Sequence, residues 1–340
     1  VTLGARVLKT GIAVTLSLYI SELFGFSPAV IAAVAAIFAM QPSIYRSWRY
    51  FLEQLQTNTL GAILALLAGL IFTNQPIIVG LVCILVIMIC LKINMEETIG
   101  LTLVTVIAVM EASGQWDFAL NRFLQILIGI GSAFLINILF FPPKPKVQLL
   151  AQMQTVFTTL SLLLRTAISD EIKEKIFREE KKSLEEGLKS LEDKYKLLEE
   201  EQKKMKRAKY SHIRNLVVYK QMLHSLHKGL EILEAIEQHF FQAERTPEIN
   251  AYFDHHLEQL IKYHEHVLLK FNDKLKSESS DLTRMEEAND TFMQMFMSLY
   301  KDSGDEVFRL SIVASVVYDY GFQTTRLDKL VEQYNKGQEA

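Results

Sequence analysis

Between Gly4 and Phe141 the chain carries six apolar segments, at 4–23, 27–40, 57–72, 76–91, 98–110 and 123–141, and this run limits its fold more than any other feature. A membrane-spanning helix takes about 20 apolar residues, range about 17–25. The first and last segments reach that length unaided. The others make it up with interfacial residues, by tilting little or by local thinning of the bilayer. A buried core in a soluble helical protein would need a polar face on most helices, and 29–40 and 77–90 have essentially none. The expected architecture is all-α: a six-helix transmembrane domain at 1–145, a cytoplasmic helical bundle at 146–330 with a long coiled-coil-like helix, and a polar tail at 331–340.

Charge divides the chain at the same place. Over 340 residues the net charge is -3, but up to Lys146 there are 8 Lys/Arg and 6 Asp/Glu, against 28 and 33 from Val147 onward. Neither half is strongly basic, which excludes nucleic acid as a partner. Cys83 and Cys90 both fall in one apolar segment, with neither a metal-ligand spacing nor a disulfide framework. The long first segment, followed at once by a second, is not the pattern of a cleaved signal peptide. With the N-terminus inside, Arg6, Lys9, Arg46, Arg49, Lys92, Lys144 and Lys146 fall on the inner side and only Arg122 on the outer. The positive-inside rule then predicts a multi-pass protein of the cell membrane with both termini cytoplasmic.

In order, the segments form three hairpins. Pro28 and Pro76 stand in the first turn of the second and fourth segments, where the missing N–H breaks no helical bond. Their similar placement is a faint sign of duplication. From Ile44 to Leu55 the apolar residues Ile44, Trp48, Phe51, Leu52 and Leu55 recur at helical spacing. The stretch is either an amphipathic helix at the inner interface or the cytoplasmic extension of the third membrane helix.

Polar groups at membrane depth are the usual markers of a transport path. The candidates are Arg46, Arg49, Asn58, Thr59, Glu96, Glu97, Asn121, Gln125 and Asn137. The two arginines would meet an anion leaving the cytoplasm, or else hold orientation and anionic lipid. Asn58 and Thr59 follow on the third segment. Glu96 and Glu97 flank the entrance to the fifth, where capping a helix start is the simpler role. Asn121 and Gln125 share a face of the sixth, with Gly129 and Gly131 thinning it for close packing. For Asn137 the simpler role is a hydrogen bond between helices. No acid sits at mid-membrane, so no proton relay is visible.

After the prolines at 142–145 the chain becomes a charged helical half. An amphipathic helix is predicted at 147–168, and a long one at 170–209. Phe177, Leu184, Leu191, Leu198 and Met205 repeat every seven residues along the latter. The competing reading there is a disordered charged linker. Helices at 211–241, 248–277, 280–302 and 306–320 complete a bundle of four or five helices. His224, His227 and Glu231 share one helix face, but histidines of structural or surface character are the better reading. No hydrolase elbow, phosphate loop, kinase set or dinucleotide fingerprint occurs. The expectation is no enzyme, no built-in ATP motor, no cofactor and no metal.

The membrane half, with Gln41-Pro42-Ser43, the arginines at 46 and 49, and Asn58-Thr59-Leu60-Gly61 leading into an alanine-rich helix, resembles the aromatic acid exporter and fusaric acid resistance proteins. In layout the whole chain is similar to small bacterial exporters with a dedicated C-terminal domain. A first glycine usual in the family's turn is absent. The resemblance implies efflux of small, partly aromatic organic anions. Larger relatives carry two membrane units, which implies that this chain forms a homo-oligomer. The alternative is a membrane-anchored structural or signalling module whose bundle recruits a partner.

Overall fold

The computed structural model describes residues 4–72, 75–111, 116–140, 144–169, 171–204, 210–272, 281–302 and 305–339. Among these the chain is helical, without a strand. It forms two compact units, Val1–Lys144 and Pro145–Ala340.

The first unit contains α1 (Ala5–Leu23), α2 (Val30–Phe38), α3 (Ile44–Ile71), α4 (Pro76–Lys92), a 3-10 turn at Glu96–Thr98, α5 (Ile99–Glu111) and α6 (Trp116–Leu139). Ser43, with extended backbone, starts α3 by accepting a hydrogen bond from the Arg46 N–H at 3.1 Å. Nothing breaks the helix from there to Ile71, so the 44–55 stretch is the opening of α3 rather than a separate helix. Residues 73–74 and 112–115, between the third and fourth and between the fifth and sixth apolar segments, lie outside the described residues. Ile44–Ile71 and Leu120–Leu139 are long and apolar enough to cross a membrane, and Pro76–Lys92 is a shorter apolar helix.

Two apolar cores share α3. One joins Ala13, Ala35, Ala36, Tyr50, Ile126, Ile130 and Ala133; the other joins Ala65, Leu66, Val82, Val86, Cys90, Val106 and Val109. α2 is only nine residues and packs against α6. Gly129 makes that crossing possible: a Cβ there would sit 2.2 Å from the Ala32 carbonyl oxygen. Gly131, expected to share this role, has nothing within 4 Å of its would-be Cβ.

The second unit contains α7 (Pro145–Ile168), α8 (Glu174–Lys204), α9 (Tyr210–Ala235) with a π-helical extension at Ile236–Phe240, α10 (Pro247–Phe271), α11 (Asp281–Asp302) and α12 (Asp305–Glu339). That is six helices, one for each of the six stretches predicted from the sequence, though the bundle is totalled there at four or five. α7 is itself long and apolar enough to cross a membrane. Its Leu149, Met153, Phe157, Leu160 and Leu164 are buried within the unit's single core. Phe177, Leu184, Leu191 and Leu198 are buried as well, because α8 lays its heptad seam against α7 and α9. The linker reading is thereby excluded, and Met205 lies outside the described residues.

The last helix corrects the sequence reading. It was expected to end at Tyr320, but it continues through Gly321 to Glu339. Gly321 is a packing site: a Cβ there would lie 2.5 Å from Asn289 Oδ1, and Asn289 Nδ2 donates to the Tyr318 carbonyl at 2.9 Å. Val331 and Tyr334 are buried, so the start of the expected polar tail is packed helix.

Candidate functional site

One face of α3 carries Ser47, Tyr50, Gln54, Thr57, Asn58 and Gly61, all buried. Steps of three and four place them in line on the helix. From Ser47 to Asn58 the helix rises about 16 Å, roughly half of a ~30 Å hydrocarbon core. Opposite stand Thr98, Thr102 and Thr105 of the 3-10 turn and α5, each fully buried. Thr105 Oγ1 donates to Asn58 Oδ1 at 2.7 Å, and Thr102 Oγ1 lies 3.0 Å from Thr57 Oγ1. A Cβ on Gly61 would come within 2.8 Å of Thr102 Cγ2, so the glycine lets the two helices close on this row.

Polar satisfaction along the row is incomplete. Both amide atoms of Gln54, the Tyr50 hydroxyl and Asn58 Nδ2 are buried without a hydrogen-bond partner, and so is Gln125 Oε1 on α6. A buried polar group left unpaired costs roughly 1–3 kcal/mol. Native structures hold few of them, and each asks for a reason.

At the N-terminal end of α3, side chains from three helices meet. Lys9 Nζ donates to Asn137 Oδ1 at 3.1 Å, while Asn137 Nδ2 donates to Ser47 Oγ at 2.8 Å and to the Gln41 carbonyl at 3.2 Å. Arg6 donates to the Met40 carbonyl at 3.3 Å. On α6, nearer its other end, Arg122 packs its guanidinium 4.6 Å over the Phe118 ring, with Nε and Nη1 buried and unpartnered.

The structure sorts the sequence candidates. Asn58, Gln125 and Asn137 are buried, but Asn58 bonds across to α5 and Asn137 to Lys9 and Ser47. Thr59 is exposed and turns its hydroxyl back to the Leu55 carbonyl at 2.6 Å. Asn121 is exposed, as are Glu96 and Glu97 in the 3-10 turn. Arg46 and Arg49 are half-buried, and Arg49 Nε pairs with Glu53 Oε1 at 2.5 Å. Lys9, Ser47, Gln54, Thr102 and Thr105 escaped the sequence reading. The 47-50-54-58 spacing was the available signal for the α3 residues. Lys9 was counted only as a topology charge.

Elsewhere, α1 carries a shallow groove of 530 Å³ lined by Val7, Leu8, Gly11, Ile12, Thr15, Leu16 and Tyr19, an exposed apolar face suited to lipid. Among the described residues no group of three or more His, Cys, Asp and Glu is placed to hold a metal ion. His227 Nε2 instead lies 2.8 Å from Glu192 Oε1.

The profile described as aromatic acid exporter family member 1 matches residues 1–140, and that of the fusaric acid resistance protein family matches residues 98–328. The chain is 33% identical to the UPF0421 protein YgaE of Bacillus subtilis over 340 residues, 98% of this chain and 96% of that one. A UPF0421 protein of Oceanobacillus iheyensis is 30% identical over 144 residues, 42% of this chain and 41% of the relative. One from Halalkalibacterium halodurans is 29% identical over 178 residues, 51% and 50% of the two chains. With two profiles that together run from residue 1 to residue 328 and one relative matched end to end, the chain belongs to the aromatic acid exporter and fusaric acid resistance family of membrane proteins.

Proposed function

We propose that this protein exports small organic acids, aromatic carboxylates among them, across the bacterial cell membrane. In this reading the first unit crosses the membrane six times with both termini cytoplasmic, and the chain works as a homo-oligomer. Transport draws on a gradient or a partner, since the sequence has no phosphate loop. The observation that carries the reading is Gln54: fully buried, with both amide atoms unpartnered, between Tyr50 and Asn58 on the same helix face. Such a row is unfavourable for a merely structural helix and useful to a passing solute, which supplies the missing donors and acceptors.

The test is efflux of a labelled aromatic carboxylate from loaded cells, normalised to membrane protein level. Gln54→Leu should cut the rate at least tenfold while leaving insertion and thermal stability unchanged or improved. An undiminished rate in a Gln54→Leu, Asn58→Leu double variant overturns the reading. A second reading, a membrane-anchored module that recruits a partner, is supported by the in-chain bonds of Asn58 and Asn137 and by the self-contained second unit. It is favoured if the wild-type chain moves no organic acid.

A further inference from the structure

Among the described residues, Lys9 is the sole buried lysine or arginine, with 6% of its surface exposed. Its Nζ donates to Asn137 Oδ1, and no carboxylate of the described residues pairs with it. An ammonium has three donors, and one neutral amide is a poor replacement for the water it has lost. A buried charge without a counter-charge opposes folding.

The groups beside it on α1 and at the start of α3 are positive or neutral. Arg6 lies one turn away on α1 and is tied to the Met40 carbonyl. The N-terminus of α3 begins at the adjoining Gln41-Pro42-Ser43 turn and adds the positive end of a 28-residue helix. Ser47 and Asn137 offer small groups able to turn from acceptor to donor. One turn beyond Ser47, Tyr50 sits in an apolar cluster with Ala13, Ala133 and Ile136, its hydroxyl unpartnered.

We propose that Lys9, Ser47 and Asn137 form a carboxylate-binding site, in which the Asn137 amide oxygen holds the place of the absent anion. The ligand class is a monocarboxylate bearing a small ring. The carboxylate displaces Asn137 Oδ1 from the Lys9 ammonium and accepts from the Ser47 hydroxyl, and the ring lies toward Tyr50. This deepens the exporter reading and rests on it for the choice of ligand.

Full-length protein in nanodiscs of zwitterionic lipid is titrated with benzoate and with neutral benzamide, and its thermal unfolding is followed. Wild type should prefer the acid at least tenfold. Lys9→Gln should bind both alike, at the wild-type level for benzamide, and should melt no lower than wild type because an unpaired buried cation is gone. Lys9→Arg should keep part of the preference, and Lys9→Met serves if the glutamine variant does not fold. A wild type with no preference for the acid overturns the site, as does a neutral variant that keeps it. So does a neutral variant that melts lower and keeps its benzoate affinity, which marks a structural lysine. Repeating the titration with phosphatidylglycerol discs separates a lipid headgroup: a Lys9-dependent shift in melting with anionic lipid, and none with benzoate, also overturns it. Benzoate binding as expected without efflux from loaded vesicles removes the exporter reading and leaves the site standing.

Discussion

His264 Nδ1 lies 2.7 Å from the Tyr320 hydroxyl, and both side chains are sealed inside the second unit. The imidazole packs on Phe157, and its Nε2 has no partner. One turn pair earlier on α10, His256 stacks on Phe292 and shares a 3.1 Å hydrogen bond with Asn289. Burial holds His264 down to about 3 and His256 down to about 4, the latter despite its bond to Asn289. Both are therefore neutral in the folded state and charge on unfolding below about pH 6.5. Stability should be flat above that pH and fall as the pH drops toward 4, by up to ~1.4 kcal/mol per pH unit for each histidine. Denaturant unfolding between pH 8 and pH 4 measures it. Replacing His264 by Phe should remove about half of the slope in that window. The Arg165-paired Glu258, whose carboxyl is held low by that hydrogen bond, adds its own loss only at the acid end.

Gly129 and Gly131 are two residues apart on α6 and should behave oppositely. Gly129→Ala forces a methyl against the Ala32 carbonyl and the Ala35 side chain. Overpacking of this kind costs about 1–3 kcal/mol, and here the obstacle is backbone. Gly131→Ala meets open space and replaces a residue of low helix propensity, so it should be neutral or stabilising by up to about 1 kcal/mol. Thermal unfolding in detergent, read by tryptophan fluorescence, orders the two variants.

Residues 145–340 should express as a soluble helical protein, and the proposed homo-oligomer, if built through this unit, predicts that it self-associates. Leu191→Asp with Leu198→Asp buries two unpaired charges in the α8 seam. The expected loss is several kcal/mol, seen as a lowered melting midpoint and reduced helicity by circular dichroism. Light scattering on the unsubstituted unit that finds a strict monomer refutes the association.

The sidedness of the first unit is testable by labelling. Cys83 and Cys90 are first replaced by serine, since both are free thiols. A cysteine at Gln75 should then react with an impermeant reagent applied from outside, and one at Lys144 only after permeabilisation. The reverse pattern inverts the proposed topology.

Periodicity carried most of the helices into view. The heptads from Phe177 to Leu198 are a local signal, and they mark the buried seam of α8. Gly321 misled because a glycine that ends a helix and one that admits a neighbour's side chain read alike in one dimension. Only Asn289, 32 positions away, tells them apart. Asn58, Gln125 and Asn137 were legible as polar groups among apolar ones. Lys9 was not, because its position near the start of a segment fits a surface charge equally well. Its hydrogen-bond partner, Asn137, is 128 positions distant.

α7 has one further consequence, for biosynthesis. It follows α6 by a few residues, and by length and apolarity an insertion machinery could accept it as another crossing. Were it accepted, everything from Glu174 to Glu339 would emerge on the opposite side. Its apolar face finds its proper cover only when α8, α9 and α10 have been made. In the proposed topology, with the second unit cytoplasmic, the nascent chain keeps α7 out of the bilayer while its partners are still on the ribosome. Gln148, Gln152 and Gln154 in its first turns are the polar residues that weaken its case for insertion.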